Sequence, residues 1–289
     1  CIETKTKNKN PMTYLNYLQQ QHTLQTAKSY MRVIDHFLFH SPNKDQSSYE
    51  DVFNYLADHN LRSGRVLAGI KKYFDYLLET GQRNTHPCKS LTISRTPKPV
   101  QFQELFTKEE LERLLERKSR YKSLEVRNKL IISFLIYQGL TPANLINLRV
   151  KDIDLEQGSI YIKATQTISK RTLELKPKQI ILLQRYFSEY RTKVLKQDTE
   201  ALFIGQRGEA YTVCAIGGML DPLRILFPNR ILNAKTIRKS VITNWLNEDN
   251  FPVDDVQLMS GQKWLSSTEI YIKPNMEDRR EKINQFWAV

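Results

Sequence analysis

Residues 126–140, VRNKLIISFLIYQGL, and residues 154–175, DLEQGSIYIKATQTISKRTLEL, decide the fold class. The first is an apolar run of helical length that stops at Gly139. The second alternates around Ile160 and Ile162, then Thr172, Leu173 and Leu175, with a polar turn between. That pattern predicts two short strands. The other readable periods are helical apart from a short extended piece with a Gly turn, ALFIGQRGEAYT at residues 201–212, so the chain is expected to be mainly α with a small β-sheet.

Upstream, four helices are predicted and no strand before residue 90. PMTYLNYLQQQ places Met12, Leu15 and Leu18 on one face. Thr23 caps a second helix, with Ala27, Tyr30, Met31, Ile34 and Phe37 or Leu38 as its stripe. Ser47 or Ser48 caps a third, in which Val52, Tyr55 and Leu56 face inward. The fourth buries Leu67, Ile70, Phe74 and Leu77 and stops near Gly81. Residues 1–91 therefore read as a small all-α domain. Residues 92–105, with Pro97 and Pro99, read as an extended linker. Residues 106–289 form a second domain, opened by a capping box at Thr107–Glu110. Pro177 starts a helix in it, and further helices begin near Val213, Lys235 and Val253. Its last segment, MEDRREKINQFWAV, reads as an amphipathic helix.

The 289 residues carry a formal net charge of +13. Such an excess points to a polyanionic partner, nucleic acid before a membrane surface. Arg62, Arg65, Lys71 and Lys72 sit on the fourth helix, Lys170 and Arg171 in the strand region, and Lys235, Arg238 and Lys239 open a later helix. Cys1, Cys88 and Cys214 are too few and too irregular for a disulfide framework or a zinc site. A reducing, cytoplasmic setting in a bacterial or phage-infected cell is expected, close to the nucleoid. No membrane span or leader is expected, and neither is a metal or other cofactor.

Three stretches in order, GLTPANLINLRVKDIDLEQGSIYI from Gly139, KTIRKSVITNWL from Lys235 and SGQKWLSSTEIYIK from Ser260, resemble the catalytic domain of the tyrosine recombinases, the phage-integrase family. The helical N-terminal region resembles that family's core-binding domain. The resemblance implies a two-domain clamp on double-stranded DNA. It also implies a tyrosine that attacks the scissile phosphate to form a 3′-phosphotyrosyl link, without metal or ATP. Two arginines would hold the nonbridging oxygens, and a hairpin lysine would protonate the leaving oxygen. A histidine or lysine would precede the second arginine by three residues, and a histidine or tryptophan would follow a glycine near the tyrosine.

On those positions the chain keeps Tyr271 and Arg238, with Lys235 three residues before the arginine. It departs elsewhere. Thr141 stands at the first arginine, Asn144 at the following carboxylate, Gln166 at the hairpin lysine and Gln262 at the histidine. Lys163 and Lys170 are the nearest substitutes for the lysine, and Arg149 for the arginine. Losing one transition-state donor costs roughly 10²–10³ in rate, and a threonine cannot replace a guanidinium fork. The expectation is therefore a sequence-specific duplex binder that has lost recombination, a transcriptional regulator such as a repressor of a prophage or mobile element. The alternative is an active recombinase with a rearranged site that acts through Tyr271. Lys235, Arg238, Lys239, Gln262, Lys263, Lys170, Arg171, Arg62, Arg65, Lys71 and Lys72 are the expected DNA contacts. Trp264 is expected in the core, and Phe286 and Trp287 are candidate anchors for self-association.

Overall fold

The computed structural model describes residues 13–58, 64–93, 99–117, 122–196 and 198–274. Two compact units emerge, Cys1–Lys98 and Pro99–Val289. The division falls inside the stretch read as a linker, of which residues 94–98 lie outside the described residues.

The first unit holds α1 (Tyr14–Gln21), α2 (Leu24–His40), α3 (Tyr49–Asp58) and α4 (Gly64–Glu79). The Thr13 and Thr23 hydroxyls cap α1 and α2 by accepting from the amides of Asn16 and Thr26. Ser48 and Asp51 cap α3 reciprocally. Ala27, Ile34 and Phe37 of α2 share one core with Leu67, Ile70, Phe74 and Leu77 of α4. Each such burial stabilises by about 1.5–3 kcal/mol before chain entropy is counted. The face of α1 differs from expectation. Leu18 is buried, but Leu15 is exposed and Tyr17 goes inside; Met12 lies outside the described residues. The cause is a tyrosine cluster. Tyr14 packs on Tyr73 at 5.2 Å and Tyr17 on Tyr76 at 5.5 Å, while the Tyr17 hydroxyl donates to Glu79 at 2.9 Å. Aromatic rings with satisfied hydroxyls bury more surface than a leucine.

The second unit begins with α5 (Lys108–Glu116), whose Thr107–Glu110 capping box is formed as read, then α6 (Lys122–Tyr137) and α7 (Pro142–Asn147). A three-stranded antiparallel sheet follows among the described residues: β1 (Ile153–Asp154), β2 (Ser159–Ile162) and β3 (Arg171–Glu174), in that order. Ile160 pairs with Leu173 and Ile162 with Arg171. α8 (Pro177–Arg185) carries Pro177 in its first turn, where a missing N–H costs nothing. It runs through a π-helical turn, Tyr186–Arg191, into the short α9 (Thr192–Val194). The remainder is α10 (Val213–Leu220), α11 (Ala234–Asn247), α12 (Val253–Ser260) and α13 (Ser266–Glu269).

α6 from Leu130 and α11 from Ser240 are buried on nearly all sides, and the two helices pack against each other at the centre of this unit. Leu130, Ile131, Phe134 and Leu135 of α6 share the core with Ile237, Val241 and Ile242 of α11. The Asn244 amide and Ser240 hydroxyl of α11 bind the carbonyl and amide of Phe106, so the entry strand is fixed to the central helix. This scaffold brings the end of α6, the start of α11, the end of α12 and the start of β3 to one place. Among the described residues no helix is long and apolar enough to cross a membrane. The segment read as a final helix, with Phe286 and Trp287, and also Arg62, lie outside the described residues.

Candidate active site

Arg238 is the hub. It projects from the second turn of α11, its Nη1 donating to the Gly139 carbonyl at 2.5 Å and its Nη2 to the Ser260 carbonyl at 2.8 Å. Gly139 ends α6 with φ +56°, and Ser260 closes α12. Two carbonyls from two helix ends thus fix the guanidinium plane, leaving three of its five N–H groups for other work. Burial holds the Arg238 pKa below its ordinary value, with Tyr271 acting the other way.

Tyr271 lies beside it, 8% exposed. Burial pushes the phenol above its usual range while the Arg238 charge pulls it back. Its turn is held by main-chain bonds. The Tyr271 amide donates to Thr268 O at 3.0 Å, and the Asn247 side chain donates to Tyr271 O at 2.9 Å while accepting from the Lys273 amide at 2.7 Å. Gln262 braces the same turn. Its Nε2 donates to Ser267 O, and its Oε1 accepts from the hydroxyls of Thr268 and Ser260. At the position that the resemblance gives to a histidine, Gln262 uses its side chain on its own loop.

The β3 end completes the cluster. The Ser169 amide donates to Gly261 O at 2.9 Å and Ile168 bridges to Gln262, so the turn between β2 and β3 is stitched to the end of α12. Arg171 is buried behind this seam, its guanidinium against Gly261. Burial, and secondarily the Arg238 charge, push its pKa down to about 10.

The remaining expected residues separate by place. Thr141 is a helix cap: its hydroxyl accepts from the Asn144 amide at 3.1 Å and donates to Asn144 Oδ1 at 2.9 Å. Asn144 is buried in that cap. Gln166 and Lys170 are exposed on the turn, and Lys163 pairs with Asp152 at 3.6 Å. Arg149 pairs with Glu200, away from Arg238. Lys235 is exposed at the start of α11 with Lys239 half-buried one turn on, and Lys263 is exposed. Trp264 is 73% exposed, not in the core as expected. The reason is local: Thr268 and Tyr271 fill the inward positions of this loop and leave the indole outside. In the helical unit, Lys71 donates to Lys89 O at 2.7 Å and Lys72 to Gln21 Oε1 at 3.0 Å, while Arg65 is exposed.

Gly139, Ser260, Gly261 and Asn247 were not picked out as working residues. The two glycines carried a usable signal, since a glycine just past a helical run marks a left-handed stop. Ser260 acts through its carbonyl, and Asn247 lies far from its partner in sequence, so neither left a trace.

The chain is similar to known proteins in sequence and in fold. Residues 104–278 match the model of the phage integrase family. Tyrosine recombinase XerD of Oceanobacillus iheyensis is 26% identical over 261 residues, 85% of this chain and 86% of that protein. Tyrosine recombinase XerC of Lactobacillus leichmannii is 26% identical over 279 residues, 93% and 90% of the two chains. Among solved structures, a XerH site-specific recombinase bound to its difH substrate superposes with a TM-score of 0.67 at 20% identity, over 90% of this chain and 77% of that one, a likeness of fold. These relatives overturn the expectation of a repressor that has lost strand cleavage. They are recombinases aligned along most of this chain, and they favour the alternative of a rearranged site. The matched span runs through the α7 cap, the small sheet, Arg238 and the Tyr271 turn, and on that ground this chain belongs to the phage integrase family.

Proposed function

We propose that the protein is a site-specific tyrosine recombinase acting on double-stranded DNA in the cytoplasm. The observation that carries this is the burial of the Tyr271 phenol in the field of a guanidinium that two helix-end carbonyls hold in place. A plain duplex binder has no need of a sheltered phenol held beside a fixed guanidinium that could meet charge developing on a phosphate. A nucleophile does.

The reaction is a transesterification. Tyr271 Oη gives up its proton and bonds to phosphorus, the P–O5′ bond breaks, and the departing 5′-oxygen takes up a proton, so that the step is neutral in protons overall. A 5′-hydroxyl from another strand then attacks the phosphotyrosyl phosphorus and releases Tyr271. Charge gathering on the nonbridging oxygens meets Arg238, which needs little reorganisation because it is pre-bonded. Lys235, exposed one turn before Arg238, supplies an ammonium at the same helix end. Lys235, Lys239, Lys263, Lys170 and Arg65 add phosphate contacts that position the duplex without reading it.

The test is a covalent-trapping assay. Duplex sites recovered from a random-sequence library by binding to the protein are rebuilt with a nick beside each candidate phosphate. A protein–DNA adduct that survives denaturant and disappears in Tyr271→Phe, with DNA binding retained, is the expected result. Tight binding with no adduct at any nick position would return the protein to the class of plain binders.

A further inference from the structure

Arg171 poses an electrostatic problem that the fold does not solve. Its side chain is over nine-tenths buried. Only Nη1 has a partner, the Ser169 carbonyl at a long 3.5 Å; Nε and Nη2 are buried with none among the described residues. No salt bridge of Arg171 or of Arg238 occurs among those residues. Both cations press on one short turn. Arg238 donates to Ser260 O, and Arg171 lies on the next residue, Gly261, where an added Cβ would overlap Nη1 and stand 2.9 Å from Cζ. Two like charges sharing a desolvated corner are costly unless an anion joins them.

The orphaned atoms say which kind of anion. Nε and Nη2 lie on the same side of a guanidinium and form its fork, the edge that matches two oxygens of a tetrahedral oxyanion. The fork is the part left unpaired, while the other edge rests on the turn. Arg171 also stands in the field of Arg238, which is in turn in the field of Tyr271. Thr141, where an arginine was expected, spends its hydroxyl on a helix cap.

We propose that Arg171 binds the scissile phosphate together with Arg238 and supplies from β3 the second guanidinium that Thr141 lacks. This rests on the recombinase reading. The two cations straddle the nonbridging oxygens, Arg171 through its Nε–Nη2 fork, and the attacked phosphorus lies between them and the Tyr271 hydroxyl. Gly261 is required because any side chain there would push the fork aside.

Arg171→Met and Arg171→Lys test this with two readouts. The first is the single-turnover rate of adduct formation on a nicked duplex. The second is the rise in Tm produced by inorganic phosphate. In phosphate-free buffer Arg171→Met is expected to melt no lower than the wild type, since an unpaired buried charge is gone. Phosphate raises the wild-type Tm and this rise is lost in Arg171→Met, while the adduct rate falls roughly 10²–10³-fold, Arg171→Lys lying between. An Arg171→Met rate within about threefold of wild type overturns the proposal and leaves the recombinase standing. So does a lower Tm with the phosphate response intact, which marks a structural arginine. Should the wild type form no adduct, the recombinase reading fails by itself. The phosphate response then decides Arg171: its loss in Arg171→Met supports the oxyanion fork and its persistence refutes it.

Discussion

The Gly139 carbonyl and the Arg238 guanidinium, 99 residues apart, are joined by a 2.5 Å hydrogen bond. The bond ties the end of α6 to the start of α11 and sets Arg238 two residues from Thr141. A longer cation grafted at Thr141 would therefore start close to the cluster. Thr141→Arg is expected to lose the cap, at about 1 kcal/mol of stability, and to speed adduct formation at least tenfold. Thr141→Ala shares the stability loss without the gain. Melting curves and single-turnover rates on the two variants separate the effects, and equal rates would show that the grafted guanidinium does not reach the phosphate.

Gly261 has φ +72°, and a Cβ there would overlap the Arg171 guanidinium. Gly158 has φ +59°, but its Cβ would meet only Ile180 Cδ1 at an ordinary 3.5 Å. Both alanine variants suffer left-handed strain of about 1–2 kcal/mol. Gly261→Ala alone must also displace Arg171, so its loss in urea unfolding is expected to exceed that of Gly158→Ala by 1 kcal/mol or more, in line with overpacking costs of about 1–3 kcal/mol. The excess should largely vanish when Arg171→Ala is added to Gly261→Ala. If the two glycines prove equivalent, the Arg171–Gly261 contact is not the constraint described.

Much of this was legible in sequence because it is local. The stripe Leu67, Ile70, Phe74 and Leu77 and the caps at Thr23 and Thr107 depend on neighbours within a turn or two. β1 was not legible, since two residues cannot display a period. The exposure of Leu15 and Trp264 turns on which larger side chains arrive from other segments. Arg171 was read as one more basic residue of the strand region. Its burial is set by Gly261, ninety positions away, and no spacing rule reaches that far. The expectation that cleavage was lost counted cations by their position in the chain, and it is the recombinase relatives, aligned over most of this chain, that overturn it.

Gln262 makes three side-chain hydrogen bonds, to Ser267 O and with the hydroxyls of Thr268 and Ser260. Gln262→Ala leaves a buried threonine hydroxyl short of a partner, and about 1–3 kcal/mol of stability should go with it. Because the lost bonds brace the Tyr271 turn, adduct formation should fall while DNA affinity holds within a few-fold. A parallel loss of affinity would place Gln262 in the DNA interface instead.

The Glu110–Arg230 pair gives a prediction in pH. Arg230 grips the carboxylate through both Nη atoms, Nη1 at 3.0 Å, and its guanidinium lies over the Phe106 and Phe227 rings at 4.7 and 5.2 Å. Each side chain of the pair is 24% exposed, so solvent screening is partial. The Arg230 hydrogen bonds hold the Glu110 pKa below its ordinary value, against some opposition from burial. A depressed carboxylate contributes stability that is fully present above the unfolded pKa of about 4.3 and is lost as pH falls through the lower folded value. Glu110→Gln should therefore cost roughly 1–2 kcal/mol at neutral pH. The gap from wild type should hold down to about pH 4.5 and narrow below it. The difference between the two proteins is the quantity to follow, because Asp51, Glu109, Glu189 and Glu200 are also depressed and weaken both on acidification. Paired thermal melts from pH 7 to pH 3.5 measure it, and a gap that widened towards acid would mean that Arg230 is not what holds this carboxylate down.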